Sequence, residues 1–244
     1  MQQFLRASAA GTRDVVAAPP FTAYFHPADA LKFFNYAVPD GDVVPSAHEI
    51  ERLRELFRAR DRLPRLEWIE EFAPRVAPEL RRGGMLEELR TPLMTCDPGS
   101  LTDAAADVPD LSIRAMADDD LREATNLQRV AFGQEALASD EDPQDPREIG
   151  GGGVIARSGS TPVAAAVWTS VIDGVSEVAG VATDERWRRR GLAGAVTAAV
   201  VSEAFAAGAS LCILSPGDEG ALRVYERAGF GRIATMLHYS DEGS

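Results

Sequence analysis

The chain has 244 residues, of which 45% are hydrophobic and 26% charged, and a formal net charge of −13. This length can bury the core of one large domain or two small ones, and the hydrophobic content excludes a wholly disordered chain. The negative charge argues against general nucleic-acid binding, which needs a basic surface. The longest nearly unbroken apolar run, from Leu192 to Val201, is too short to span a bilayer, and the N-terminus lacks the pattern of a secretory signal. We therefore expect a soluble cytoplasmic protein without membrane or nucleic-acid partners.

The cysteines and histidines are not spaced as metal ligands. Cys96 and Cys212 lie far apart in the chain, and the three histidines form no cluster. Cys212 lies within an apolar run and is expected in the core. No metal site is predicted.

A change in composition divides the chain into two predicted domains. The segment from Thr95 to Asp110 is polar, contains Pro and Gly, and has neither a helical nor a strand period, which is typical of a linker. We expect an N-terminal α+β domain over residues 1–105 and a mixed α/β domain over residues 106–244. The N-terminal domain contains neither a glycine-rich anion loop nor a convergent acid and base.

In the first domain, aromatic and β-branched runs predict strands, and Ser46 with Glu49 forms a capping box that begins a helix. The predicted strands are Thr22 to Phe25, Phe33 to Val38, Leu66 to Phe72 and Met85 to Met94, and a short helix is predicted from Ala77 to Arg82.

The second domain is predicted as a strand, a helix, three strands of a meander, and then two helix–strand pairs. The strands are Leu111 to Ala115, Val154 to Arg157, Pro162 to Val171, Val175 to Thr183, Leu211 to Ser215 and Phe230 to Tyr239, and the helices are Leu121 to Phe132, Gly191 to Ala207 and Gly220 to Ala228. Acidic residues 118–120 precede the first helix, where they stabilise its positive end. The fold class is therefore a mixed α/β fold.

The segment from Val181 to Ala195 carries most of the functional information. A strand leads through a basic loop, Arg188 to Arg190, into a helix whose first turn is small and glycine-rich. Small residues leave the amide groups unshielded at the positive end of a helix, which favours a phosphate or pyrophosphate ligand. A solvated basic turn is the alternative interpretation.

Two other phosphate-binding loops are excluded. The segment does not end in Gly-Lys-Ser/Thr, and it lacks the glycine triplet of a dinucleotide-binding turn. The four glycines from Gly150 to Gly153 precede a strand rather than a helix, so we interpret them as a flexible hinge.

Two motifs resemble the GNAT superfamily of N-acetyltransferases. Residues 188–193, Arg-Arg-Arg-Gly-Leu-Ala, match its Arg/Gln-x-x-Gly-x-Gly/Ala signature, and residues 221–230 are similar to its later helix, with a tyrosine and a closing Gly-Phe. The order of strands and helices over residues 110–240 agrees with that family. The resemblance implies a GNAT-like acyl-CoA N-acyltransferase fold in the second domain.

The resemblance also implies acetyl-CoA as the cosubstrate. Its pantetheine would pair with a strand that parts from its parallel neighbour at a bulge, for which Gly180 is the candidate; a simple packing glycine is the alternative. The residues implied in cofactor binding are Val181, Ala182, Thr183, Arg188, Arg189, Arg190, Gly191, Leu192, Ala193 and Gly194.

Three groups are implied in catalysis. The backbone amide near Val181 would polarise the thioester carbonyl, and Tyr225 would be the general acid. Glu177 is the candidate base, since the strand period places it on the same face as Val181 unless the bulge inverts the register. A core tyrosine, a solvent-facing glutamate and water as the base are the alternatives.

The chain departs from the family at Asp218, where many members carry asparagine, and a carboxylate near the cofactor's pyrophosphate is unfavourable unless it faces away. The first domain resembles a degenerate GNAT-like half, because residues 78–85 parallel residues 223–230, with Leu80 in place of Tyr225. The acidic loop at Asp140, Glu141, Asp142 and Asp145 would favour a cationic amine; a solvated loop is the alternative.

We therefore predict an N-acetyltransferase in which a primary amine, on a small molecule or a protein, directly attacks acetyl-CoA. The alternative is a non-catalytic acyl-CoA-binding regulatory module. Formation of a homodimer is left open.

Overall fold

The fold is described from a computed structural model that covers residues 1–27 and 30–242. Its helices are α1 (Gln2–Ala10), α2 (Ala47–Arg58), α3 (Val76–Arg82), α4 (Leu121–Ala131), α5 (Leu192–Ala206) and α6 (Glu219–Arg227). Its strands are β1 (Asp14–Ala18), β2 (Phe21–Phe25), β3 (Tyr36–Pro39), β4 (Arg65–Ile69), β5 (Leu86–Cys96), β6 (Leu111–Ala115), β7 (Gly152–Ser158), β8 (Thr161–Trp168), β9 (Val175–Thr183), β10 (Leu211–Leu214) and β11 (Gly231–Ser240). In the described part of the chain, no helix combines the length and apolar character needed to cross a membrane.

The chain forms two compact units. The first contains Met1–Leu93 together with the chain from Ile233 onward, and the second contains Met94–Arg232. The boundary therefore lies inside β5, before the polar segment in which we expected it, and the last strand returns to the first unit. This differs from the predicted division into residues 1–105 and 106–244, because strand pairing rather than composition determines where the chain leaves each unit.

The first unit is a mixed sheet against which helices α2 and α3 pack. Its strands follow the order β1-β2-β3-β4-β11, with β3 and β4 parallel and the other pairs antiparallel. Trp68 and Tyr239 of the sheet are buried in one core with Ile50 and Phe57 of α2 and Leu80 of α3. The capping box at Ser46 is confirmed, since the Glu49 amide donates to the Ser46 hydroxyl group and the Glu49 carboxylate accepts from the Ser46 amide.

The first unit differs from the sequence prediction at α1, at β1, at the start of β3 and at the end of β4, which is Ile69 rather than Phe72. Helix α1 and strand β1 were not predicted; α1 lacks a regular apolar period, and β1 lies at the end of the strand order and is mostly exposed. The predicted strand from Phe33 begins only at Tyr36, because residues 32–34 form a short 3-10 helix with Phe33 exposed. Helix α1 is held by the Gln2 carboxamide, which accepts a hydrogen bond from the amide of Ile69 at 2.9 Å.

The second unit is a mixed sheet with helices on both faces. From the end of β5 its strands follow the order β5-β10-β9-β8-β7-β6, and only β9 and β10 are parallel. Leu192 and Val200 of α5 share a core with Ala164 of β8 and Tyr225 of α6. Ala124 of α4 packs instead with residues of β7 and β8 on the opposite face. We call these two sides the α5 face and the α4 face.

Residues 150–153 are not the hinge that the sequence suggested. Gly152 and Gly153 lie in β7, and the Cβ atom of any other residue at Gly151 would lie 2.3 Å from the carbonyl oxygen of Trp168. At Gly152 it would lie 2.7 Å from the indole nitrogen of the same residue. The glycines therefore permit close packing against Trp168 rather than flexibility.

The two cysteines, although far apart in the chain, lie directly opposite each other in the antiparallel strands β5 and β10. Both are buried in the α5-face core, which confirms the expected core position of Cys212. Burial raises the pKa of the Cys96 thiol to about 11 and that of Cys212 to about 12. Both side chains therefore remain neutral core residues at physiological pH.

The carboxylate of Asp120 joins the start of α4 to strands β6 and β7. It accepts hydrogen bonds from both terminal nitrogens of Arg114, from Arg157 at 2.9 Å and from the amide of Ala117 at 2.8 Å. Its side chain is 1% exposed. Burial alone would raise its pKa, but the two guanidinium groups and the amide outweigh that effect and lower the pKa to about 2.

We predict that Asp120→Asn lowers the free energy of unfolding by about 2 kcal/mol at neutral pH, because charged hydrogen bonds are lost in a buried site. A carboxylate whose pKa is lower in the folded than in the unfolded protein stabilises the fold at pH values above the unfolded-state pKa. This stabilisation is lost as the pH falls towards the folded-state pKa. The difference from wild type should therefore shrink between about pH 4 and pH 2, measured by urea unfolding. Asp119→Asn, at an exposed residue, is the control. The prediction would be contradicted if Asp120→Asn lowered the free energy of unfolding no more than Asp119→Asn does.

Candidate functional site

Strands β9 and β10 are parallel but paired only at their beginnings. Residues 211–213 of β10 lie beside residues 175–177 of β9, and Glu177 with Ile213 is the last pair. Strand β10 ends at Leu214, whereas β9 continues to Thr183. In the described part of the chain, the second half of β9 therefore has no paired strand on this side, and an opening forms between the two strands.

The opening coincides with a bulge in β9. Ala165 of β8 pairs with Ala182 and Val167 with Ala179, so two residues of β9, Gly180 and Val181, lie opposite one residue of β8. Gly180 has a φ of +58°, in the left-handed region that glycine adopts without strain. The bulge predicted at Gly180 is therefore present.

The bulge inverts the register of β9. Val178, before the bulge, belongs to the α5-face core, and Val181, after it, packs against the same core. Glu177 is adjacent to Val178 and therefore lies on the α4 face. The prediction that Glu177 and Val181 share a face is wrong, because the inserted residue shifts the period of two by one position.

Helix α5 begins with unpaired amide groups. Its N-cap is Gly191, with a φ of +83°, and the first intrahelical bond is donated by Ala195 to the Gly191 carbonyl. The amides of residues 191–194 have no acceptor among the described residues. Helix N-termini of this kind bind anions through their N–H groups and their positive end.

The basic loop before α5 is partly fixed by its own contacts. The guanidinium of Arg190 lies 5.1 Å from the ring centre of Trp187. Arg188 reaches back to the carbonyl of Thr183 at 3.4 Å. Arg189 is exposed and has a φ of +66°, so the loop turns sharply at this residue. All three cationic side chains thus lie within one short turn before the α5 amides.

A segment of the polar linker packs along this helix start, which the sequence did not reveal. We call residues 100–107 the strap. The amide of Asp107 donates to the Arg190 carbonyl at 2.8 Å, and a Cβ atom on Gly191 would lie 2.5 Å from the Ala105 carbonyl oxygen. At Gly229 a Cβ atom would lie 1.9 Å from the Ser100 carbonyl oxygen. Gly191 and Gly229 are therefore required for two reasons: the strap leaves no room for a side chain, and both residues have left-handed φ angles.

Tyr225 of α6 lies in the same core as α5. Its side chain packs near Phe230, with ring centres 6.1 Å apart, and its hydroxyl group has no hydrogen-bond partner among the described residues. Burial, and to a lesser degree the negative charge of Asp218, raises the pKa of Tyr225 to about 12. The hydroxyl group is therefore protonated at physiological pH.

Asp218, the residue at which the sequence departs from the family pattern, is the N-cap of α6. Its carboxylate accepts a hydrogen bond from the amide of Ala221 at 2.7 Å. Aspartate is among the preferred residues at this position, where its charge also complements the helix dipole. The carboxylate thus has a structural role in beginning the helix that carries Tyr225.

Helices α3 and α6 end in the same turn. Met85 donates to the Leu80 carbonyl at 2.9 Å, and Phe230 donates to the Tyr225 carbonyl at 3.0 Å. The preceding glycines, Gly84 and Gly229, both have positive φ angles. This is the Schellman arrangement in both helices. The local parallel noted in the sequence therefore extends to backbone structure, with buried Leu80 at the position of Tyr225.

The acidic loop after α4 uses two of its carboxylates internally. Asp145 caps the short 3-10 helix Pro146–Ile149 and pairs with Arg147. Glu141 accepts a hydrogen bond from the amide of Ala138 at 2.7 Å. Asp140 and Asp142 are exposed. Nowhere in residues 1–27 and 30–242 do three or more His, Cys, Asp or Glu side chains gather as a metal-binding group.

Comparison with known proteins agrees with this geometry. The profile of the acetyltransferase (GNAT) family matches residues 118–230. A GCN5-related N-acetyltransferase from Kribbella flavida is 33% identical, with a TM-score of 0.82 over 100% of this chain and 95% of that protein. No protein of curated function matches the chain.

Two more distant structures share the fold. A GCN5-related N-acetyltransferase from Sphaerobacter thermophilus is 14% identical, with a TM-score of 0.64 over 92% of this chain and 78% of its own. A tandem GNAT protein from the clavulanic acid biosynthesis pathway is 11% identical, with a TM-score of 0.58 over 92% of this chain and 79% of its own. With the family profile over the second unit and the Kribbella flavida relative over the whole length, this chain belongs to the GCN5-related N-acetyltransferase (GNAT) family.

Proposed function

We propose that this protein is an acetyl-CoA-dependent N-acetyltransferase that acts on a primary amine. The observation that carries the proposal is the row of unpaired amides at residues 191–194 beside the opening between β9 and β10. A diphosphate is a suitable acceptor for such a row, and the cationic loop before it adds favourable charge. The residues proposed to hold the cofactor remain 181–183 and 188–194.

A buried hydroxyl group supports the fit of acetyl-CoA. The Oγ1 atom of Thr183, at the end of β9, is buried and has no hydrogen-bond partner among the described residues. An unsatisfied buried polar atom has an energetic cost that a bound ligand can remove. Thr183 lies at the end of β9, beyond the residues that pair with β10, so an extended polar chain lying along that open side of β9 would reach its hydroxyl group.

Acetyl-CoA would supply an acetyl thioester as the electrophile. The Val181 amide would donate a hydrogen bond to its carbonyl oxygen, on which negative charge develops. The Tyr225 hydroxyl group, protonated at physiological pH and buried on the α5 face, would donate a proton to the departing sulfur. Glu177 would accept the amine proton from the α4 face, at the last pair before the strands part. The inverted register thus separates the proposed acid and base across the sheet.

The first unit is proposed as a degenerate GNAT-like half. Its similarity in fold to a tandem GNAT protein and the matching ends of α3 and α6 support this origin. Leu80 cannot donate a proton where Tyr225 would. The second unit would therefore carry the activity. If the second unit had also lost catalysis, the protein would be a non-catalytic acyl-CoA-binding module, which is the alternative function.

Calorimetry with acetyl-CoA, followed by turnover with a panel of small-molecule amines and peptide amines, tests the proposed function. We expect binding and release of free CoA thiol in the presence of one acceptor class. Binding without turnover across the panel would favour the non-catalytic module, and folded protein that binds no acetyl-CoA would refute both.

We predict that Ala193→Glu weakens acetyl-CoA binding by about tenfold or more, because a carboxylate beside the unpaired amides repels the diphosphate. The same charge near a helix N-terminus stabilises the helix, so the variant should stay folded. Ala206→Glu, at the exposed C-terminal end of α5, is the control. Equal affinities of the two variants, measured by calorimetry, would argue against a diphosphate at the helix start.

Tyr225→Phe should lower kcat by about 10- to 100-fold through loss of the proton donor, with little change in acetyl-CoA affinity. Because the pKa of Tyr225 is raised to about 12, the loss should not vary with pH in the neutral range. Tyr24→Phe, at a buried tyrosine of the first unit, serves as the control. If kcat of Tyr225→Phe equals that of wild type across the pH–rate profile, Tyr225 is not the general acid.

For Glu177→Gln we expect kcat/KM for the amine to fall by about 100-fold, since the amide cannot accept the amine proton. The pH–rate profile of Glu177→Gln should also differ from that of wild type, because the proposed base is gone. Exposed Glu135→Gln is the comparison. An unchanged rate and profile would show that water acts as the base.

A further inference from the structure

The side chain of Gln128 on α4 contacts the bulge of β9. Its Nε2 atom donates a hydrogen bond to the carbonyl oxygen of Gly180 at 2.8 Å. Among the described residues, this bond joins α4 to the backbone of β9 at the point where the register of the strand changes. The family motifs in the sequence do not include Gln128, and the structure alone reveals the contact.

Gln128 and Gly180 are sterically matched. A Cβ atom on Gly180 would lie 2.4 Å from Nε2 of Gln128 and 3.6 Å from a methyl group of Val167. Val167 lies in the core of the α4 face, so the glutamine amide occupies the space that a side chain at Gly180 would take on that face. The glycine therefore provides both the left-handed φ and the room for the glutamine.

The carbonyl that Gln128 binds belongs to the same peptide group as the Val181 amide. In a trans peptide, the C=O and N–H bonds lie in one plane and point in opposite directions. A hydrogen bond that holds the Gly180 carbonyl towards α4 therefore directs the Val181 N–H away from α4. That direction leads towards the α5 face, against which the Val181 side chain packs and where Tyr225 lies.

We propose that Gln128 is a positioning residue for acetyl transfer, which fixes the Gly180–Val181 peptide group so that the Val181 N–H faces the reacting carbonyl. This inference rests on the proposed function, in which that N–H is the donor to the thioester. The hydrogen bond to the Gly180 carbonyl also polarises the peptide group, because linked hydrogen bonds strengthen one another. Preorganised donors of this kind stabilise the transition state more than the bound substrate.

Gln128→Met, which keeps the length of the side chain but cannot donate, is the first test. We expect kcat to fall by about tenfold while KM and the dissociation constant for acetyl-CoA stay within about twofold, because a misoriented oxyanion donor affects the transition state selectively. The control is Gln134→Met, since the side chain of Gln134 makes no hydrogen bond to the described residues. A Gln128→Met enzyme with the wild-type kcat would overturn the inference.

Gln128→Glu provides a readout that a merely structural role would not produce. The side chain has nearly the same shape, and its carboxyl group can donate to the Gly180 carbonyl only when it is protonated. The ratio of its kcat to that of wild type should therefore rise as the pH is lowered through the carboxyl pKa, whereas the ratio for Gln128→Met should stay flat. A flat ratio for Gln128→Glu would overturn the inference even if Gln128→Met failed to fold.

A double-mutant cycle with Gly180→Ala tests whether the two residues act through one contact. The alanine methyl group would displace the glutamine amide, so the losses in kcat for Gly180→Ala and Gln128→Met should be strongly non-additive. Additive losses would indicate independent effects and would count against the inference. If the wild-type protein neither binds acetyl-CoA nor releases CoA, the proposed function fails; wild-type turnover that Gln128 variants do not alter refutes only the positioning role.

Discussion

The bulge in β9 is the constraint on which the arrangement of the candidate site depends. An extra residue at Gly180 and Val181 lies opposite a single residue of β8, and beyond it the side chains of β9 exchange faces. The strand also loses its partner β10 near this point, because β10 ends at Leu214. One local irregularity thus sets which groups point to each side of the sheet and where the backbone of β9 is available to a ligand.

The helices around the site are held by backbone contacts with the strap in addition to the side chains they bury in the α5-face core. The strap passes over the start of α5 at Gly191 and the end of α6 at Gly229, so one segment packs against both helices. The Asp107 amide and the Thr102 amide each donate to a carbonyl at these helix ends. A side chain at either glycine would clash with the strap. The strap therefore links the position of the α5 amides to that of Tyr225, although none of its own residues is proposed to bind the cofactor or to act in catalysis.

Part of the acidic character of the chain has a local structural explanation. Several aspartates accept hydrogen bonds from backbone amides at turns and helix starts: Asp97, Asp145, Asp184 and Asp218. Asp218 combines such a cap with an electrostatic effect on Tyr225, whose pKa it helps to raise. The negative charge therefore belongs in part to the framework and is not by itself a sign of a cationic substrate.

The sequence by itself determined the elements of the second unit, the glycine-rich start of α5, the bulge at Gly180 and the place of Tyr225 near the end of α6. Each is encoded locally, by strand and helix periods, by glycines and by short motifs. Only the tertiary structure decided that Glu177 faces α4, that the strap covers Gly191, and that Gln128 of α4 holds the Gly180 carbonyl. These contacts join residues distant in the chain, and no period within one segment can specify them, because a single inserted residue reverses every side chain after it and close packing depends on which backbone lies alongside.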